Sequence, residues 1–319
     1  MLILHTDTLT PEFATHKIAR AAPPAALRPQ AWGRQPRSAF ARAALNNAGF
    51  LVSVAILMMV FVSALLAPIL APHDPAEQDL EARLVPPFWA AEGTSRHPLG
   101  TDALGRDLLS RIVYGSRISL FVGFMSVALQ GVIGVTVGLT TGYYGGRFDA
   151  VVMRFADIQL AVPFFVLAIA VMTVLGPGLR NVILVLGITG WILYGRVVRS
   201  EVLSVREREY VDAARALGAS GPRILIKHVL PNVFSSFLVI STLEVARMII
   251  AEASLSYLGL GVQPPTPTWG GMVADGRNWL MTSWWVSTLP GIAIFATVLA
   301  VNVIGDFLRD WFDPTLRHG

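Results

Sequence analysis

Three ionisable residues, Glu244, Arg247 and Glu252, stand in one apolar stretch of the sequence. A charge at the centre of a membrane helix costs about 2.5–3.5 kcal/mol on insertion scales, so such residues mark a polar path or a paired contact. Glu244 and Arg247 are i, i+3 neighbours on a helix and can offset one another. Two readings stand: the three residues line an aqueous path or a subunit contact, or they hold the helix through a structural ion pair. Arg154 and Asp157 repeat the spacing near the edge of an earlier apolar run. There an arginine can snorkel to the headgroups, and the pair reads as structural. The six histidines, at 5, 16, 73, 97, 228 and 318, follow no metal-ligand spacing, and His97 reads as solvated. With no cysteine, the chain has no disulfide framework, thiolate metal site or thiol nucleophile. Its two lysines, Lys17 and Lys227, stand in no Gly-x-x-x-x-Gly-Lys-Ser/Thr loop, so phosphates of ATP find no cradle here. Neither a Gly-x-Ser-x-Gly elbow nor a His-Glu-x-x-His helix is present. No catalytic, cofactor-binding or metal-binding residue is expected.

The elements that must position these residues are apolar. Of 319 residues, 54% are hydrophobic and 14% charged. A soluble domain carries about 25% charged residues, so much of this surface is solvated by lipid. A soluble single-core α/β protein does not need repeated apolar runs of about 20 residues; membrane spans do. Six spans are read: 49–70, 117–141, 151–175 with a kink or unwinding at Pro163, a short one at 182–198, 233–258 and 286–308. Gly134, Gly138 and Gly142 recur every four residues in the second, a small-residue face for close helix packing. Residues 1–46 are polar and interrupted by Pro11, Pro23, Pro24, Pro29 and Pro36, and read as a disordered tail. With that tail placed in the cytoplasm, inside segments carry sixteen Lys and Arg and outside segments six. The positive-inside bias then puts both termini in the cytoplasm. The same topology explains the net charge of +4, without a basic helix for nucleic acid.

Two connections are longer than the spans require: the outer segment 71–116 and the inner segment 196–232. In the second, Ser204 and Glu207 have capping-box spacing. Tyr210, Ala213, Ala214 and Leu217 share one helical face, and Gly218 stands where a left-handed cap belongs. Ser220-Gly221-Pro222 starts a second short helix, expected to end around Leu230-Pro231. Periodicity alone suits either a helix that receives another protein or one that lies on lipid headgroups.

The residue pattern separates these readings. Asp212-Ala213-Ala214, three residues, Gly218, and then Leu230-Pro231 resembles the EAA loop of binding-protein-dependent ABC importer permeases. That family's pattern is Glu-Ala-Ala, three residues, Gly, nine residues, Ile, one residue, Leu-Pro. Here Asp212 stands for the Glu and His228 for the Ile. The wider strings from Glu209 to Ser220 and from His228 to Asn232 are similar to the dipeptide/oligopeptide/nickel branch. So is the run from His97 to Arg117, which looks like the outer segment of that branch's C-type permease, and so are Leu255–Gly261 and Trp269-Gly-Gly. The resemblance covers about 45–319.

It implies an all-α, polytopic chain with the type I ABC importer permease fold. It implies a tail at 1–46, a first transmembrane helix and outer segment at 47–116, and a permease core at 117–319 with its coupling loop at 200–232. Tyr210, Asp212, Ala213, Ala214, Leu217, Gly218, Leu230 and Pro231 would dock an ATPase. Partners would be a second homologous permease, one or two ATPase subunits carrying ATP-Mg, an extracytoplasmic substrate-binding protein and the lipid of a bacterial cytoplasmic membrane; nucleic acid is not one. Di- or oligopeptides are the expected substrates, with nickel chelates, glutathione or another small solute as alternatives. A secondary transporter would need no helical docking loop, and a membrane-embedded enzyme would need a catalytic cluster.

Overall fold

The computed structural model describes residues 37–312. The chain divides into two units, 1–42 and 43–319, and the described part of the first is the start of helix α1 (Arg37–Asn46). The irregular tail expected to residue 46 therefore gives way at Arg37, where an alanine-rich, proline-free decapeptide favours helix; the rest of that expectation lies outside the described residues. Among these the backbone is helical, with one isolated antiparallel bridge between Thr101 and Asp107.

Helix α2 (Ala48–Leu65) opens on Asn47, whose side chain accepts the Phe50 N–H at 2.9 Å, and the short α3 (Ala67–Leu70) continues it. Exposed Leu51, Val52, Met58, Met59 and Phe61 give α2 an apolar outer face, as a membrane-spanning helix needs. The connection that follows packs on the start of α4 (Leu108–Tyr144). This helix begins nine residues ahead of the expected 117. Asp107 caps it, accepting the Ser110 N–H at 2.8 Å, and its first turns bury Arg111 against Asp102, so polar residues are matched by protein rather than by water. At 37 residues, α4 is about 55 Å long, well beyond a hydrocarbon core of about 30 Å.

The third expected span is not one rod. Helices α5 (Gly146–Leu160) and α6 (Phe164–Leu175) meet at 90°. Pro163 lacks an N–H and disfavours helical backbone at Val162, so the helix ends rather than bends gently. The fourth is longer than expected: α7 (Leu179–Thr189) and α8 (Trp191–Arg206) follow one another through Gly190. Then come α9 (Glu209–Ala216), α10 (Gly221–Ile224), a π-helical turn at Leu225–Val229 and α11 (Leu230–Tyr257). Helix α12 (Trp269–Gly276) is capped by Thr268, and α13 (Trp285–Phe312) carries Pro290. Among the described residues, five helical stretches are long and apolar enough to cross a membrane, six when the bent pair counts as one span.

The core is built on α4. Its glycine stripe admits α8: a β-carbon at Gly138 would lie 2.7 Å from the Gly195 carbonyl oxygen, and one at Gly142 2.7 Å from Val202 Cβ. The expected small-residue face is therefore a helix–helix contact. Gln130, in the same helix, donates to the Leu186 carbonyl at 3.0 Å and ties α7 to it.

Candidate functional site

The loop built from α9 and α10 hangs on the end of α4 and α8. Arg206 donates to the Gly142 carbonyl at 3.1 Å, and Arg199 grips Asp149 with two bonds of 2.6 Å, pinning α5 beside α8. Helix α8 runs through Ser204 to Arg206, burying Val202 and Val205. Ser204 thus sits inside a helix and forms no capping box; Arg208 occupies the cap of α9 without a side-chain bond. The continuing burial of valines on α8 outweighs the local capping signal.

Helix α9 touches the bundle through one residue above all. Val211 is 0% exposed and packs among Val198, Val202, Val205, Ile224, Leu225, Val229 and Val233. Ala214 borders this cluster. Tyr210, Asp212, Ala213 and Leu217 point away, and Leu217 is 88% exposed. The expected stripe thus faces outward, with only Ala214 half-buried. Arg215 spans Asp212, at 2.9 Å, and the Tyr143 ring at the end of α4, 5.5 Å away. Gly218 ends the helix at φ +80°; its N–H reaches the Arg215 carbonyl and that of Ala219 reaches Ala214, at 2.9 and 3.0 Å. Glycine adopts this left-handed backbone without the strain of a side chain.

The second short helix does not stop at Leu230-Pro231. It passes through the π turn, where Leu230 N–H bonds the Leu225 carbonyl, into α11. Pro231 has no N–H to give, and widening the turn ahead of it accommodates the ring without a break. Leu230 is half-buried and Pro231 exposed; Asn232 bonds back to the His228 carbonyl at 2.6 Å and to the Tyr210 hydroxyl at 3.4 Å.

The charges in α11 separate into two environments. Glu244 is buried and meets Arg247 at 2.6 Å, while Arg247 is 64% exposed on the helix surface. Glu252 is 0% exposed, accepts from Ser256 at 2.7 Å and lies 3.5 Å from Ser119 of α4. The structure brings Glu244 and Arg247 together and buries Glu252 between α11 and α4. Asp157 takes Arg196 of α8 rather than Arg154, because α5 lies along α8 there.

At the opposite end of α4 stands a polar cluster that the sequence reading missed. Asp102 holds Arg106 at 2.7 Å and also Arg111; both arginines reach Asp275 of α12, at 3.1 and 3.2 Å. Arg111 and Asp275 border a cavity of about 310 Å³ together with Tyr257, Gln263, Thr268 and Arg277. Beside it, His97 is 5% exposed, not solvated, and lies 3.0 Å from Asp107. The His73 ring lies tilted against that of His97, centroids 4.8 Å apart. The histidines thus converge in space without any sequence spacing to announce it.

A long glycine-striped helix, a broken span and a helical loop at the bundle's end define a multi-pass, all-helical membrane protein. The model of the family "binding-protein-dependent transport system inner membrane component" matches residues 134–318, and that of the N-terminal transmembrane domain of oligopeptide transport permease C matches 38–87. The chain belongs to this family of ABC transport permeases. It is 42% identical over 283 residues to a di/tripeptide transport system permease of Pseudomonas aeruginosa, a match covering 89% of this chain and 93% of that one. A dipeptide transport system permease of Bacillus subtilis is 40% identical, with 90% and 86% covered. Among solved structures, the MetNI methionine ABC transporter in inward-facing conformations is similar with a TM-score of 0.51 at 20% identity; the match covers 64% of this chain and 97% of that one. That likeness is one of fold. The family places this multi-pass chain in the inner membrane, as a transport subunit that works with ATPase and substrate-binding components.

Proposed function

We propose that the chain forms half of the translocation path of a dipeptide or oligopeptide importer and that α9 is its coupling helix to an ATPase subunit. The peptide substrate follows from the relatives, several of which are named dipeptide permeases at about 40% identity over most of their length. The observation that carries the coupling assignment is the outward stripe of Tyr210, Ala213 and Leu217 on a helix anchored from behind by Val211. A lipid-seated helix needs bulky apolar anchors. This one offers two large side chains, Tyr210 and Leu217, with Ala213 between them and Asp212 beside it, and a small-residue centre flanked by a carboxylate suits a protein groove.

In this reading a second homologous permease completes the path. ATP-Mg binds on one or two partner ATPases, whose closure draws the coupling helices together, and an external binding protein delivers substrate. Both termini and α9 lie in the cytoplasm. Arg247, exposed on the face of α11, lines the path or the contact between permeases.

The test is Gly218→Val. The left-handed backbone costs an L-residue about 1–2 kcal/mol, and no neighbouring atom lies within 4 Å to clash, so the effect is confined to the turn. Expression and pairing with the second permease should hold, while ATPase co-purification and peptide uptake fall. Normal uptake with full ATPase retention would refute the coupling role of this turn.

A further inference from the structure

We propose that His73, His97 and Asp107 form a binding site for a divalent transition metal of the zinc type, clamping the segment 73–107 to the start of α4. One potential ligand atom from each residue lies within 4.8 Å of the other two. His97 Nδ1 is 3.0 Å and His73 Nδ1 3.8 Å from the same oxygen, Asp107 Oδ1. A tetrahedral ion with bonds of about 2.1 Å sets its ligands about 3.4 Å apart, and the two distances straddle that value.

A plain hydrogen bond accounts for His97 Nδ1 alone. It leaves His73 Nδ1 beyond bonding range of the carboxylate, and that nitrogen is buried without another partner. His97 Nε2 is also buried and unpartnered. Buried polar atoms nearly always find a partner, so the orphaned His73 Nδ1 beside the carboxylate points to a missing ligand, whereas His97 Nε2 lies on the far side of its ring and is no ligand of the same ion. The carboxylate is prepared for it. Ser110 fixes Asp107 Oδ2 through its N–H at 2.8 Å and its hydroxyl at 2.7 Å, which leaves Oδ1 turned toward both rings. The same Ser110 oxygen accepts the backbone N–H of His73 at 3.1 Å and so holds both ligand-bearing residues.

Two imidazoles and one carboxylate suit zinc; calcium and magnesium prefer shells of oxygen. Three protein ligands leave a fourth position for water. The ligands come from the two ends of a long irregular connection, in a chain that has no cysteine with which to staple it. A metal cross-link would close that loop and restrict the unfolded chain. That the site faces the external medium rests on the orientation proposed above; binding of the ion does not.

The experiment uses the purified full-length chain in detergent, stripped with a chelator and titrated with Zn²⁺ alone against a chromophoric competitor. Co²⁺ substitution supplies a second readout, the visible bands of a tetrahedral ion. One ion per chain is expected, with a rise in thermal midpoint on binding. His73→Ala, His97→Ala and Asp107→Asn should each weaken affinity at least tenfold; Asn is itself a good helix cap, so the last variant keeps α4 intact. Replacing His5, His16, His228 and His318 together should leave the stoichiometry unchanged. A wild-type chain that takes up no zinc overturns the proposal. So does binding that survives the three ligand variants, or binding lost with the other four histidines.

Discussion

A β-carbon built at Gly134 lies 2.4 Å from Tyr194 Cβ and 2.5 Å from the Trp191 carbonyl oxygen. One at Gly291 in α13 meets nothing within 4 Å. The two glycines therefore respond to substitution with opposite signs. Gly134→Val overpacks the α4–α8 contact, at a cost of about 1–3 kcal/mol. Gly291→Ala gains about 0.4–1 kcal/mol by restricting the unfolded chain. Thermal unfolding of the purified chain should show a fall for the first and a small rise for the second; equal shifts would contradict the packing account. The glycine stripe was legible because its members recur at i, i+4 on one helix. The arginine cluster was not, because Arg111 and its partner Asp275 lie 164 residues apart and nothing local marks them as a pair. The burial of His97 is hidden for a related reason: its carboxylate is near in sequence, but its neighbour His73 comes from the opposite end of the connection.

Elements follow the same division. Span existence was readable from apolar runs, and Gly218 from its place after a helical face. Where tertiary contacts extend a helix, local signals are overridden: α8 absorbs Ser204 because its valines find a core, and α11 reaches back through a π turn because Pro231 permits a widened ladder. Helix α9 is short, so its docking depends on Val211. Val211→Ser removes apolar contact and buries a hydroxyl among valines and leucine, at a cost of about 1–3 kcal/mol local to the loop. ATPase retention in a pull-down should drop while the unfolding midpoint of the bundle moves little. Retention unchanged from wild type would show that α9 needs no such plug.

For the whole molecule, the decisive measurement is sidedness. Ala91 and Ser220 are both exposed and lie toward opposite ends of α4, and the absence of native cysteine leaves a silent background. Ala91→Cys should react with an impermeant maleimide in spheroplasts and Ser220→Cys should not; the reverse pattern would invert the topology. Either way, α4 connects the two ends. Its first residues carry the histidine–carboxylate cluster and the paired arginines, and its last carry Tyr143 and the carbonyl that holds Arg206. A rod of about 55 Å that tilts by about 5° sweeps its far tip through about 5 Å. The helix thus has the shape of a lever: α8 holds it along the glycines near its last turns, so a small tilt there would be magnified at the histidine–carboxylate end.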